Sequence, residues 1–189
     1  EIVGLVGESG CGKSTFLRTL MMLTDENAHI MSGTITFENK NLADMTEEQL
    51  RLIRGQDISM VFQNSAEACN PVQTIGYHFW ETMNCHGEKH SKKECNKKAA
   101  ELLKQLRLQK PERILKSYPF ELSGGMNQRV GIALAMINNP KLILADEPTS
   151  ALDVTVQMQV LREMYDLKKE FQTAIVLVTH SIGVVAGLC

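Results

Sequence analysis

Residues Gly7 to Thr15 read GESGCGKST, the pattern G-x-x-x-x-G-K-[ST]. Glycines at Gly7, Gly10 and Gly12 let successive backbone N–H groups curl around a chain of phosphates. Lys13 then reaches the outer phosphates and the Ser14 hydroxyl can ligate Mg²⁺. Ser9, Cys11 and Thr15 complete the loop. Against the plainer reading, a glycine-rich turn with a chance lysine, stand the apolar run before it and the helical pattern after it, whose positive end points at the same phosphates. The stretch LILADE supplies the complement. Asp146 can reach a metal, and Glu147 beside it can polarise an attacking water as general base. The same two acids before Pro148 also read as a solvated turn. Gln63 and His180 each close an apolar run, where turn chemistry or an ordinary strand-end histidine is the plainer account. At those positions His180 can donate to a terminal phosphate and Gln63 can touch Mg²⁺ or the water, favouring charge that develops in the transition state.

A second anion-binding turn lies in ELSGGMNQRV, Glu121 to Val130. Ser123 reads as an N-cap followed by free N–H groups. Gly124 and Gly125 each cost about 1 kcal/mol of helix propensity if they lie inside a helix, which points to a close approach to the backbone. No lysine accompanies them. In CHGEKHSKKEC, the residues Cys85, His86, His90 and Cys95 can be drawn as a Cys₂His₂ zinc set. That spacing is cramped, and a lysine-rich loop between two helices accounts for it better. Cys11 sits where a helix start can lower a thiol pKa, so it carries a redox-sensitive reading beside that of a small residue that fits the loop.

The elements that must position these groups alternate. Ile2–Val6 reads as a buried strand, followed by a helix from Lys13 with Phe16, Leu17, Leu20 and Leu23 at helical spacing. Gly33–Asn39 alternates like a strand. MTEEQLRLI carries a capping box, Thr46 with Gln49. Asp57–Gln63 and Lys141–Glu147 read as strands, Val154–Lys169 as a helix and TAIVLVTH as a last strand ending on His180. From about Pro71 to Lys116 the pattern is helical, and KKAAELLKQLRL is strongly amphipathic. A charge-poor helix, Val130 to Ile137, follows the glycine pair. The whole predicts an α/β fold with a mainly parallel sheet: a core from 1–70 and 141–189, and a helical part, 71–140, inserted in it. In such sheets ligands bind at the carboxyl ends of the strands.

The bulk numbers bound the answer. The 189 residues are 43% hydrophobic and 22% charged with a net charge of −2, which argues against a broad cationic field for nucleic acid. No apolar run approaches the ~18 residues that span a bilayer, and no leader is visible. Five scattered cysteines, Cys11, Cys69, Cys85, Cys95 and Cys189, suit a reducing compartment. The opening EIVGLVG and the closing SIGVVAGLC both read as cuts, so the chain is expected to be truncated at both ends.

The order phosphate loop, Gln63, LSGGM at Leu122–Met126, LILADE, SALD at Ser150–Asp153 and His180 resembles the nucleotide-binding domain of ABC transporters. The resemblance covers nearly the whole chain, and LSGGM between the glutamine and the acids is its specific mark. It implies a P-loop NTPase core with a helical subdomain carrying the signature motif. It implies ATP with Mg²⁺ on Ser14, Gln63 and Asp146, and catalysis by Glu147 with His180 and Gln63. In that family two domains pack head to tail, so Ser123, Gly124 and Gly125 would belong to a partner's site and Asp153 to the seam. ISMVFQN, CNPVQTIG, ELSGGMNQRV and ADEPTSALDVTVQ further resemble the importers of oligopeptides, dipeptides and nickel. That implies a second ABC ATPase subunit (commonly a different chain), transmembrane permease subunits, an extracytoplasmic substrate-binding protein acting indirectly, and a place on the cytoplasmic face of the membrane. Departures are Asn127 where a basic residue is common, Ser181 after His180, and NSAEACNP after Gln63. Two other readings stand beside this one. A soluble ABC-type ATPase of DNA repair or chromosome maintenance would need long insertions that are not seen here. A nucleotide-gated assembly module would bind ATP without hydrolysing it.

Overall fold

Parallel strands dictate where the chemistry gathers. The computed structural model describes residues 1–25, 27–87, 89–150, 152–183 and 185. Cys189 and the end of SIGVVAGLC lie outside them, as does Ala151 of SALD. Strand β1 (Ile2–Val6) runs into the glycine loop and helix α1 (Lys13–Leu20). A hairpin of β2 (Thr36–Phe37) and β3 (Lys40–Asn41) follows, then α2 (Glu47–Ile53) and β4 (Ile58–Val61). Helices α3 (Ile75–Asn84), α4 (Lys92–Gln105), α5 (Pro111–Ile114) and α6 (Gly124–Met136) come in succession. The chain returns through β5 (Leu142–Asp146), α7 (Val154–Phe171) and β6 (Ala174–Thr179).

The main sheet has the order β1-β6-β5-β4 and every pairing is parallel. In the ladders Val6 lies opposite Thr179, Asp146 opposite Val178, and Val61 opposite Ala145. All four carboxyl ends therefore open on one edge. Alternate residues of each strand serve opposite faces. Ile143, Ala145, Ile175 and Leu177 pack with the apolar sides of α3, α4, α6 and α7, whereas Leu144 and Val178 pack with Leu17, Met21 and Leu50. Burial on both faces is why these strands read as continuous apolar runs.

Helix starts follow local chemistry. Thr46 and Gln49 form the expected capping box at α2, and Ser91 with Glu94 forms another at α4. Three boundaries differ from expectation. The strand expected over Gly33–Asn39 is only Thr36–Phe37, because Glu38 and Asn39 both take positive φ (47° and 63°) and turn the chain into a tight hairpin. The strand expected to reach Gln63 ends at Val61, so Gln63 stands on a loop. The helix after the glycine pair starts at Gly124, with both glycines as its first two residues.

Candidate functional site

Gly7 leaves β1 and the chain doubles back through Gly10 and Gly12, whose φ values of 82° and 94° suit glycine. Gly12 is the N-cap of α1 and has no side chain to offer its first turn. The N–H groups there are thus left for a ligand, at the positive end of the helix. Ser9, Gly10, Gly12, Lys13, Ser14, Thr15, Gln63 and Glu147 line a cleft of about 220 Å³. Lys13 is 7% exposed; its ammonium donates to the carbonyls of Gly7 (2.9 Å) and Glu8 (2.6 Å) and lies 3.9 Å from the Glu147 carboxylate. Cys11 is exposed on the same loop, its sulfur 3.9 Å from Lys13 Nζ. A Cβ on Gly7 would stand 2.7 Å from that sulfur, so Gly7 makes room for it.

The acids come from β5. The Ser14 hydroxyl donates to Asp146 Oδ1 at 3.0 Å, joining the loop to the sheet. Glu147, one residue on, has φ +43°, a left-handed conformation costing a non-glycine residue about 1–2 kcal/mol. Its N–H still donates to Val178 O at 3.0 Å, which holds the turn against the sheet and aims the side chain into the cleft. There its Oε2 accepts from Gln63 Nε2 at 3.4 Å and pairs with His180 Nδ1 at 3.2 Å. A carboxylate only accepts, so Nδ1 carries the proton in this contact. A hydroxyl and a buried carboxylate side by side are hard oxygen donors of the kind Mg²⁺ takes. A carboxylate held by an amide and an imidazole can take a proton from a bound water.

Ser123, Gly124 and Gly125 do not line this cleft. Ser123 caps α6, its Oγ accepting from Met126 N–H at 3.4 Å. A Cβ on Gly125 would meet Val156 Cγ1 at 3.5 Å and Leu152 Cδ2 at 3.8 Å, so the turn leans on the start of α7. A Cβ on Gly124 would meet nothing within 4 Å among the described residues. Asp153 caps α7 by accepting the Val156 N–H at 3.0 Å. Two capped helix starts, one with Ser123 and one with Asp153, thus stand side by side and exposed.

Several residues that sequence reasoning passed over hold this geometry. Asn127, noted only as a departure, donates to the carbonyls of Pro119 (2.9 Å) and Leu122 (3.3 Å) and fixes the turn before Ser123. Gln128 donates to Phe62 O at 3.2 Å. Arg129 pairs with buried Glu163 of α7 at 2.8 Å. The signal was there in the order Asn-Gln-Arg, three polar residues inside a helix otherwise poor in charge. The drawn zinc set does not assemble as a set of thiolates. Cys95 is buried in α4 and takes a contact from Asn84 at 3.8 Å, Cys85 donates to Thr82 O, and burial pushes both thiols up.

The sequence profile described as ABC transporter matches residues 1–150. A probable peptide ABC transporter ATP-binding protein of Sinorhizobium fredii is 46% identical over 190 residues, covering 100% of this chain and 56% of that protein. The oligopeptide transport ATP-binding protein AppD of Bacillus subtilis is 48% identical over 187 residues, covering 98% and 57%. A solved dimeric ATP-binding cassette in a post-hydrolysis state, bound to ADP and Pi, superposes with TM-score 0.84 at 34% identity over 97% of this chain and 76% of that one. The chain spans about half the length of the curated relatives it matches. Among the described residues no helix is long and apolar enough to cross a membrane.

Proposed function

The chain belongs to the ABC transporter family, and from that premise we propose that it is the ATP-hydrolysing part of a subunit that powers peptide uptake through transmembrane partner subunits. The relatives named for peptide and oligopeptide transport support that cargo class. The observation that carries the reading is the meeting, at one edge of the sheet, of Lys13, the Ser14–Asp146 bond and a Glu147 clasped by Gln63 and His180.

In this reading residues 1–70 and 141–189 form the nucleotide-binding core and 71–140 the helical part. The loop N–H groups from Gly7 to Thr15 and Lys13 hold the phosphates of ATP. Ser14 and Asp146, with Gln63 beyond them, would hold Mg²⁺, which would offset charge on the β- and γ-phosphates. Glu147 takes a proton from the attacking water as the water oxygen bonds to the γ-phosphorus. The bond from that phosphorus to the bridging oxygen breaks, giving ADP and phosphate. His180 and Gln63 hold Glu147, and through it the water, in line with the bond that breaks.

Ser123, Gly124 and Gly125 serve the nucleotide of a second ABC subunit, and Asp153 lies at the seam between the two. The open space over Gly124 supports this, because whatever meets that turn comes from outside the described chain. Closing and reopening of the pair would move the permease subunits at the cytoplasmic face, so binding energy acts by population shift. The test is the solution mass of the full-length protein carrying Glu147→Gln, by light scattering with and without MgATP. Doubling with ATP supports a sandwich of identical chains; ATP binding without doubling assigns the second half to a different subunit. No ATP binding at all overturns the reading.

A further inference from the structure

Charge is unevenly spread along this chain. Residues 89–116 hold ten of its 20 Lys and Arg but only three of its 22 Asp and Glu. That cationic stretch folds around a cleft of about 580 Å³ between α4 and α5, a size that suits a small molecule. Lys93, Lys97 and Lys104 stand along one face of α4 at helical spacing, and Lys116, just past α5, lines the other side. Buried Ala100 and Leu115 give the cleft an apolar lining between them. Among the described residues Lys104 pairs with Glu112 at 3.9 Å, whereas Lys93, Lys97 and Lys116 have no ion-pair partner. Glu101 is the one carboxylate left in the cleft to offset those three. An ordinary solvated helix face would not be built this way. Lys93 is the second residue of α4, where the positive helix end disfavours a cation. It also lies four residues before Lys97, a spacing at which like charges destabilise a helix. An acid at position 93 would relieve both conflicts. Unpaired ammonium groups gathered around a concave, partly apolar cleft are what a multivalent anion requires, and lysine binds phosphate as a point charge.

We propose that the cleft between α4 and α5 binds a small soluble anion carrying two or more phosphate groups, held by Lys93, Lys97 and Lys116. The cleft shares no residue with the phosphate cleft at Gly7–Thr15 or with the Ser123–Gly125 turn, so the proposal stands apart from the ATPase reading. Its concave shape favours a soluble molecule, because a lipid surface would rest on the lysine tips and leave Ala100 and Leu115 uncovered.

The experiment is lysine acylation of the full-length protein, read residue by residue by mass spectrometry, with inorganic tripolyphosphate as the probe. Half-protection of Lys93, Lys97 and Lys116 is expected below about 1 mM probe at about 0.15 M salt, where loose exposed charges are already screened. Lys40 and Lys110, exposed outside the cleft, should label as before. Reading each lysine separately keeps any probe bound at Gly7–Thr15 out of the result. Lys93→Glu should abolish protection at Lys97 and Lys116 while leaving the melting temperature unchanged or slightly raised, and Lys93→Gln should weaken protection less. A lower melting temperature in Lys93→Glu with protection intact would make Lys93 a structural residue and overturn the proposal. So would protection spread equally over all exposed lysines, or protection at none. Vesicles of phosphatidylglycerol that shield these lysines where tripolyphosphate does not would overturn it as well, and give the face to a lipid surface.

Discussion

Two glycine-bearing turns of this chain open a helix, and their surroundings are opposite. At the Gly7–Gly12 turn the ionic and metal-facing side chains have partners within the chain: Lys13 on two loop carbonyls, Ser14 on Asp146, Glu147 between Gln63 and His180. At Ser123–Gly125, among the described residues, the side chain of Ser123 serves only the cap to Met126, and the space over Gly124 is open. Both starts share the physics of unpaired N–H groups and a positive helix end. The difference is that one turn comes with a lysine and carboxylates that do chemistry and the other with none. An anion site without side-chain chemistry is suited to complete a site, not to be one.

The sharpest way to break that contrast is a pair of substitutions with opposite consequences. Gly124→Glu places a carboxylate in open space at a helix start, where it gains helix propensity and favours the dipole. The isolated chain should keep its melting temperature or gain slightly, and should bind ATP as before, whereas ATP-dependent association should vanish. Lys13→Ala should do the reverse at the first step and weaken ATP binding by about tenfold to a hundredfold, the worth of a hydrogen bond to a charged group. Titration with a fluorescent nucleotide beside light scattering reads both. If Gly124→Glu cost the lone chain its ATP, the two turns would be parts of one site and the contrast would fail.

Next in size comes the strut behind the open turn. Arg129 and Glu163 tie α6 to α7 at 2.8 Å, both largely buried, with side chains 12% and 3% exposed. Glu163→Ala strands the guanidinium, and breaking such a pair costs about 3 kcal/mol. At this chain length that is a fall in melting temperature of about 6–12 °C. Glu163→Gln, which keeps an acceptor for Arg129, should lose clearly less. Equal losses in the two variants would mean that volume, not the charge pair, holds the two capped helix starts together.

How much of this could be read beforehand depended on whether a feature is local in the chain. Gly7–Thr15 was legible because shape and charge are specified by adjacent residues. The caps at Thr46 and Ser123 were legible because a hydroxyl and its N–H partner lie three positions apart. Alternation misled at Gly33–Asn39, since a period-two pattern carries no sign of the positive φ at Glu38 and Asn39. Gln63 was placed at a strand end, yet β4 stops at Val61. The contacts of Gln128 and Gly131 were not readable: their partners Phe62 and Ser65 lie in a different stretch, and only the folded chain brings them together. The strained φ of Glu147 was equally hidden, since its backbone conformation is set by β6 through Val178.

The smallest expected effect comes from a residue outside both turns. His86 Nδ1 is enclosed with no hydrogen-bond partner among the described residues, and its ring lies against Gly55, where a Cβ would stand 3.2 Å from Nε2. Burial first, and then nearby Arg51, lower its pKa from 6.5. The sign follows from proton counting. Below pH 6.5 the unfolded chain takes up a proton that the folded chain refuses, so the unfolded state binds more protons and stability falls as pH drops. The loss deepens until pH reaches the lowered folded value and then levels off. Melting curves between about pH 7 and about pH 5 should therefore slope more steeply for the wild type than for His86→Gln, which has no proton to gain in that range. ATP affinity should follow the same pH course in both proteins, since His86 lines neither turn. Parallel melting slopes would remove its burial as the cause, and a divergence in ATP affinity would show that this distant imidazole speaks to the phosphate cleft after all.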